Sequence, residues 1–217
     1  MKILVIAAHG SEEILGMGGT IAKYIKEGHT VYVCVAAIPT KDVRLTQRTK
    51  NESIKVDELL GIEVTNYLDL SIGNLKNTAT VNVDARFEKY INGVKPEIVF
   101  IPHNGGVDED YRNVVRASML ALRPTDNPQL KAVYAYETFP QVEGIPESPE
   151  DAFLPNCYID ITEYIEIKKE ALALYKSQKK KFPHPRSEEA VEILSKMRGL
   201  DYGVENAEAF MAVRERL

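Results

Sequence analysis

At 217 residues, with 44% apolar and 27% charged side chains, the chain is long enough to bury one sizeable core, and the expectation is one domain over residues 1–217. A formal net charge of -5 argues against nucleic acid or an anionic membrane as partner, because either would need a clustered basic surface. The one dense basic run, Lys179-Lys180-Lys181, reads as a solvated helix end. Cys34 and Cys157 have no metal-type spacing and read as two buried, reduced thiols, which suits a reducing cytoplasm. The opening apolar run Met1 to Ala8 is too short for a signal peptide or a membrane span.

Five short runs rich in β-branched residues read as buried strands: Lys2 to Ala8, Thr30 to Ala37, Ile62 to Tyr67, Glu97 to Pro102 and Lys131 to Glu137. Helical patterns fill the intervals. Glu13 to Lys26 ends at Gly28; Val43 to Leu60 places Leu45, Ile54, Val56, Leu59 and Leu60 near one face and stops at Gly61; Val81 to Ile91 stops at Gly93 and Pro96. A further helical segment runs to Arg123. This alternation predicts an α/β fold: a Rossmann-like, mostly parallel sheet of five or more strands flanked by helices, with a helical C-terminal part. Thr138 to Pro155 carries four prolines and no periodicity and reads as a long loop. Helices are expected at Thr162 to Lys179 and Ser187 to Met197, with a break at Phe182 to Arg186 and a last helix near Glu205 to Arg214.

In an open parallel sheet the loops after the strands' carboxyl ends converge on one crevice. The loop after the first strand carries His9, Ser11, Glu12 and Glu13, and that after the fourth runs from His103 to Asn113. Together they could hold a divalent cation through imidazole and carboxylate oxygens. Each also has a simpler reading: Ser11 as a helix N-cap with Glu12 and Glu13 in the first turn, and Asp108-Glu109-Asp110 as the cap of the following helix. Gly16, Gly18 and Gly19 come too late after the strand for a dinucleotide fingerprint. His103 reads as a packed or hydrogen-bonded histidine beside the crevice. Arg123 and Glu137 are read either as substrate contacts or as members of an ion pair across the site.

The stretch Ala8-His9-Gly10-Ser11-Glu12-Glu13 resembles the His-Pro-Asp-Asp-Glu signature of the PIG-L/LmbE-like zinc N-deacetylases. The resemblance continues through Leu15 to Thr20, Pro96 to Pro102, Arg123-Pro124-Thr125, Tyr136-Glu137-Thr138 and Phe182 to Ser187. It implies a metal site of His9, Glu12 and the position of Tyr111, a base at Ser11, an oxyanion partner at Asp108, and Asp110 as the middle residue of the second motif. It also implies His103, Arg123 and Glu137 near an amino-sugar type small molecule. Zinc is the cofactor so implied, with another divalent cation or none as the alternatives.

Three of those positions depart from the family pattern in chemical type. Serine has no pKa near neutrality and cannot take a proton from bound water, and losing a general base costs about 10²–10⁴ in rate. Aspartate at 108 repels a developing oxyanion, and a neutral tyrosine at 111 is a poor zinc ligand. The sequence therefore predicts a deacetylase-like protein of N-acetylglucosamine-type sugars or conjugates with weak or no hydrolase activity. The alternatives are an inactive sugar-binding or assembly subunit and a different metal-assisted reaction on the acidic loop. A homo-oligomer stays open.

Overall fold

The computed structural model describes residues 1–105, 108–139 and 149–216. Its centre is a seven-stranded sheet of order β3-β2-β1-β4-β5-β7-β6. The strands are β1 (Lys2–His9), β2 (Thr30–Ile38), β3 (Val64–Ser71), β4 (Ile98–Pro102), β5 (Ala132–Tyr136), β6 (Cys157–Asp160) and β7 (Ala207–Glu215). The first five pair in parallel, and β7 runs antiparallel to both β5 and β6. The helices are α1 (Glu12–Lys26), α2 (Val43–Leu60), α3 (Thr80–Val94), α4 (Glu109–Ala121), α5 (Ile165–Leu174) and α6 (Glu188–Tyr202). Two apolar layers sandwich the sheet. One gathers Leu4, Ile6, Phe87, Ile91 and Val114 under α3 and α4, and the other gathers Ile3, Val5, Ile14, Ile21 and Val56 under α1 and α2.

Strand β1 pairs with β2 on one side and β4 on the other, so the chain winds away from it in both directions. That reversal is the switch point at which open α/β sheets form their ligand crevice. It sets the end of β1, at His9, beside the loop that follows β4. The glycines of α1 serve this packing. A Cβ on Gly16 would lie 2.9 Å from the Glu137 carbonyl oxygen, and one on Gly19 would lie 2.9 Å from the Ile161 side chain.

The last helix expected near Glu205 to Arg214 is instead strand β7, inserted between β5 and β6. Its Ala-Glu-Ala-Phe-Met composition favours helix locally, but two neighbouring strands satisfy its backbone on both sides. Strand β6 also falls where no strand was expected. The helix expected from Thr162 starts as a 3-10 turn at Thr162–Tyr164 and ends at Leu174, so Lys179 to Lys181 lie in an exposed irregular segment beyond it, not at a helix end. In α2 the buried face is Thr49, Glu52, Ser53, Val56 and Leu60, whereas Ile54 and Leu59 are exposed. Cys34 is a buried free thiol; Cys157 is free but only partly buried. Of the loop expected over Thr138 to Pro155, residues 140–148 lie outside the described residues.

Candidate functional site

His9 is the last residue of β1, and Ser11 turns the chain into α1 with φ 76°, a left-handed conformation that is uncommon for a residue with a side chain. Ser11 is fully buried; its hydroxyl makes no capping bond and has no hydrogen-bond partner. The N-cap expected of it is therefore not made. Across the crevice, Asp108 caps α4 by accepting the Asp110 backbone N–H on Oδ1 at 2.8 Å. Asp110 is held in turn from the loop after β3, whose Gly73 and Leu75 N–H groups donate to its carboxylate at 2.6 and 3.3 Å.

The two loops meet at His9. Its Nδ1 lies 3.0 Å from Oε1 of Glu12 and its Nε2 lies 3.1 Å from Oδ2 of Asp110, while its backbone N–H donates to Oε2 of Glu12 at 3.0 Å. Burial disfavours the charged ring, but the two carboxylates bonded to it and the nearby Asp108 outweigh that, and its pKa is pushed up to about 10. His9 is thus an imidazolium that donates from both nitrogens. Burial raises and these contacts lower the Glu12 and Asp110 carboxyls, with a net fall for both. Burial dominates at Asp108, whose carboxyl is raised.

A second cation enters from a distant segment: Arg186 Nη2 lies 3.4 Å from Oε1 of Glu12. Its Nε is buried and has no hydrogen-bond partner. His9, Arg186, Glu12 and Asp110 thus form a network of two positive and two negative groups that needs no further charge to balance it. Tyr111 stands edge-on to His9 with ring centroids 5.8 Å apart. Burial, then the charge and hydrogen bond of Glu12, hold its phenol well above its ordinary value, so the hydroxyl is neutral. A narrow cleft, too tight in this structure to admit a water molecule, lies beside the network and is lined by Glu12, Tyr111, Tyr136, Glu137, Phe139 and Arg186 among others.

Glu13, next in line, points away from the crevice. It is fully buried and accepts the Tyr175 hydroxyl on Oε1 at 2.6 Å.

These contacts bear directly on the zinc implied by the sequence. A zinc-bound histidine offers a free ring nitrogen to the metal and its other N–H to a supporting acceptor. Here each His9 nitrogen faces a carboxylate, and a neutral Tyr111 phenol stands where the third ligand is implied. Among the described residues no group of three or more His, Cys, Asp or Glu is arranged to hold a metal ion. The donor set does not fit zinc.

Of the other expected residues, Glu137 lines the cleft and His103 stands at the rim, whereas Arg123 lies elsewhere. Glu137 forms a two-pronged ion pair with Arg198 of α6, at 2.9 and 2.5 Å. His103 Nε2 donates to the Asp151 carbonyl at 2.9 Å and packs against Phe153, which ties the 3-10 turn Pro149–Asp151 to the rim. Arg123 is not at the site: it follows α4, whose other end carries Asp108, and pairs with Asp126 at 3.2 Å in the turn leading to β5. The helix length separates it from the crevice. Arg186 and Tyr175 were missed as individual residues. The only signal for Arg186 was its place in the Phe182 to Ser187 segment.

Residues 4–122 match the family model PIG-L, GlcNAc-PI de-N-acetylase, which spans more than half of the chain. The chain belongs to the PIG-L family. Its fold is shared with N,N'-diacetylchitobiose deacetylase from Pyrococcus horikoshii at 22% identity and a TM-score of 0.77, covering 98% of this chain and 83% of that one. It is also shared with GalB, the 4-carboxy-2-hydroxymuconate hydratase of Pseudomonas putida KT2440, at 19% identity, a TM-score of 0.76 and coverages of 100% and 97%. The conserved protein TT1542 of Thermus thermophilus matches at 20% identity, a TM-score of 0.76 and coverages of 99% and 96%. A deacetylase and a hydratase on one scaffold mean that the fold alone does not choose the reaction. No helix among the described residues is long and apolar enough to cross a membrane.

Proposed function

We propose that this PIG-L-family chain is a cytoplasmic, deacetylase-like protein that recognises an N-acetylglucosamine-type sugar or conjugate and hydrolyses it slowly or not at all. The observation that carries the reading is the double engagement of His9. With Glu12 on one ring nitrogen and Asp110 on the other, both nitrogens of the imidazole are already engaged by carboxylates. The remaining machinery is also committed elsewhere. Ser11 has no base beside its hydroxyl, Asp108 is used as a helix cap, and Asp110 is tied to two backbone N–H groups.

What the site does offer is recognition. The groups that support this role are the Arg186 Nε–H, unpartnered among the described residues, and Glu137 and Thr138, which line the cleft beside it. Acetate release and equilibrium binding, measured on the same protein with N-acetylglucosamine and N,N'-diacetylchitobiose, test the proposal. Saturable binding with turnover well under about 1 s⁻¹ supports it. Turnover at or above that rate, or no binding of either sugar, would overturn it.

A further inference from the structure

We infer that a second site, on the outer face of α2, binds a phosphorylated sugar or polyol. Arg44, Arg48, Asn51 and Lys55 follow one another at spacings of four, three and four residues, which lines them along one side of the helix. Lys176, just past the end of α5, faces them across a groove of about 550 Å³, a volume ordinary for a small-molecule site.

The groove is built on a buried anchor. Glu52 is 7% exposed and binds Arg48 Nε at 3.0 Å, while its two carboxylate oxygens accept from the Ser177 backbone N–H and hydroxyl. One carboxylate thereby fixes the arginine of one wall and the backbone beside the lysine of the other. Among the described residues, no acid forms an ion pair with Arg44, Lys55 or Lys176. That is notable in a chain whose Asp and Glu outnumber its Lys and Arg by 32 to 27. Three uncompensated cations plus the outer edge of a guanidinium suit a ligand with more than one anionic group.

The lining also says what lies between the anions. Every residue around the groove is polar or charged, with Gln47 and Asn51 as the neutral members. There is no aromatic face to stack a nucleobase and no apolar wall to receive an acyl chain, whereas Gln47 and Asn51, joined by donation from Gln47 Nε2 to Asn51 Oδ1 at 2.9 Å, keep the Asn51 N–H and the Gln47 carbonyl for hydroxyl groups. The site is separate from the His9 network: Thr49, on the inward side of the same helix, packs so closely that a Cβ on Gly10 would lie 3.2 Å from its methyl group. Helix α2 itself stands between the groove and the crevice.

Calorimetric titration of the full chain with fructose 1,6-bisphosphate at low ionic strength tests the site, with fructose and inorganic pyrophosphate as companion probes. Arg44, Lys55 and Lys176 are solvent-facing, so a variant carrying Arg44→Ala, Lys55→Ala and Lys176→Ala should keep its fold, which circular dichroism checks. The expected results are one-to-one binding of the bisphosphate, no binding of fructose, pyrophosphate weaker by about tenfold, and a loss of at least about tenfold in the triple variant. Absence of saturable binding in the millimolar range, or equal affinity in the folded triple variant, would overturn the site. Pyrophosphate binding as tightly as the bisphosphate would reduce it to an anion site with no part for the sugar.

Discussion

Tyr175 donates its hydroxyl to Oε1 of Glu13 at 2.6 Å, joining the end of α5 to the first turn of α1 inside the core. Burial is the largest influence on this carboxyl, and despite the tyrosine bond it moves the pKa from the ordinary 4.5 up to about 7. The native state therefore holds the proton more tightly than the unfolded chain. The resulting stabilisation is complete below pH 4.5 and is lost as pH rises towards 7, amounting to roughly 3 kcal/mol on the size of the shift. Glu13→Gln should match the parent in stability at pH 4 and exceed it at pH 8. Urea unfolding at both pH values checks this, and a difference that does not change with pH would refute it.

His9 works in the same direction but in a different window. Its pKa of about 10 lies above the ordinary 6.5, so its contribution is full below pH 6.5 and fades as pH rises through 10. Nitrogen NMR of labelled histidine should find the His9 ring doubly protonated at pH 8. A titration midpoint near 6.5 would mean that the carboxylate pair does not hold it.

Strand β7 depends on a buried charge. Lys168 Nζ meets Glu208 Oε1 at 2.6 Å with both side chains almost fully enclosed, and the same carboxylate accepts the Gly19 and Thr20 N–H groups near the kink at Met17 in α1. Lys168→Met leaves Glu208 as an unpaired buried anion and should cost about 3–5 kcal/mol. Adding Glu208→Gln should restore much of that loss in a denaturant titration, because the remaining group is neutral and keeps an acceptor for the backbone.

The same pair explains where sequence reasoning ended. The parallel sheet and the meeting of the His9 and Asp108 loops followed from local alternation and from the topology rule. Strand β7 did not, because Ala207, Glu208 and Met211 favour helix until Lys168 and two flanking strands are in place. Likewise His9 and Glu12 were legible as site residues from their position after β1. The role of Arg186 was not, since an arginine in a proline-rich break gives no sign that it will reach a glutamate 174 residues away.

If the network is what displaced a metal centre, restoring the family residues should return function in order. Glu12→Asp with Tyr111→His should bring zinc binding first, as it repairs the ligands and loosens the hold on His9. Adding Ser11→Asp and Asp108→His should then raise acetate release by about 10² or more over the double variant, the scale of a regained general base. Hydrolysis that appears in the Ser11→Asp, Asp108→His pair without zinc binding would contradict this order.

His9, Glu12, Asp110 and Arg186 satisfy one another, and among the described residues they leave no ligand set for zinc. Isothermal titration of the chelator-free wild-type chain with Zn²⁺ at pH 7.5 tests it most directly. The structure predicts no stoichiometric binding in the submicromolar range. One tightly bound equivalent of zinc, abolished by His9→Ala, would contradict it.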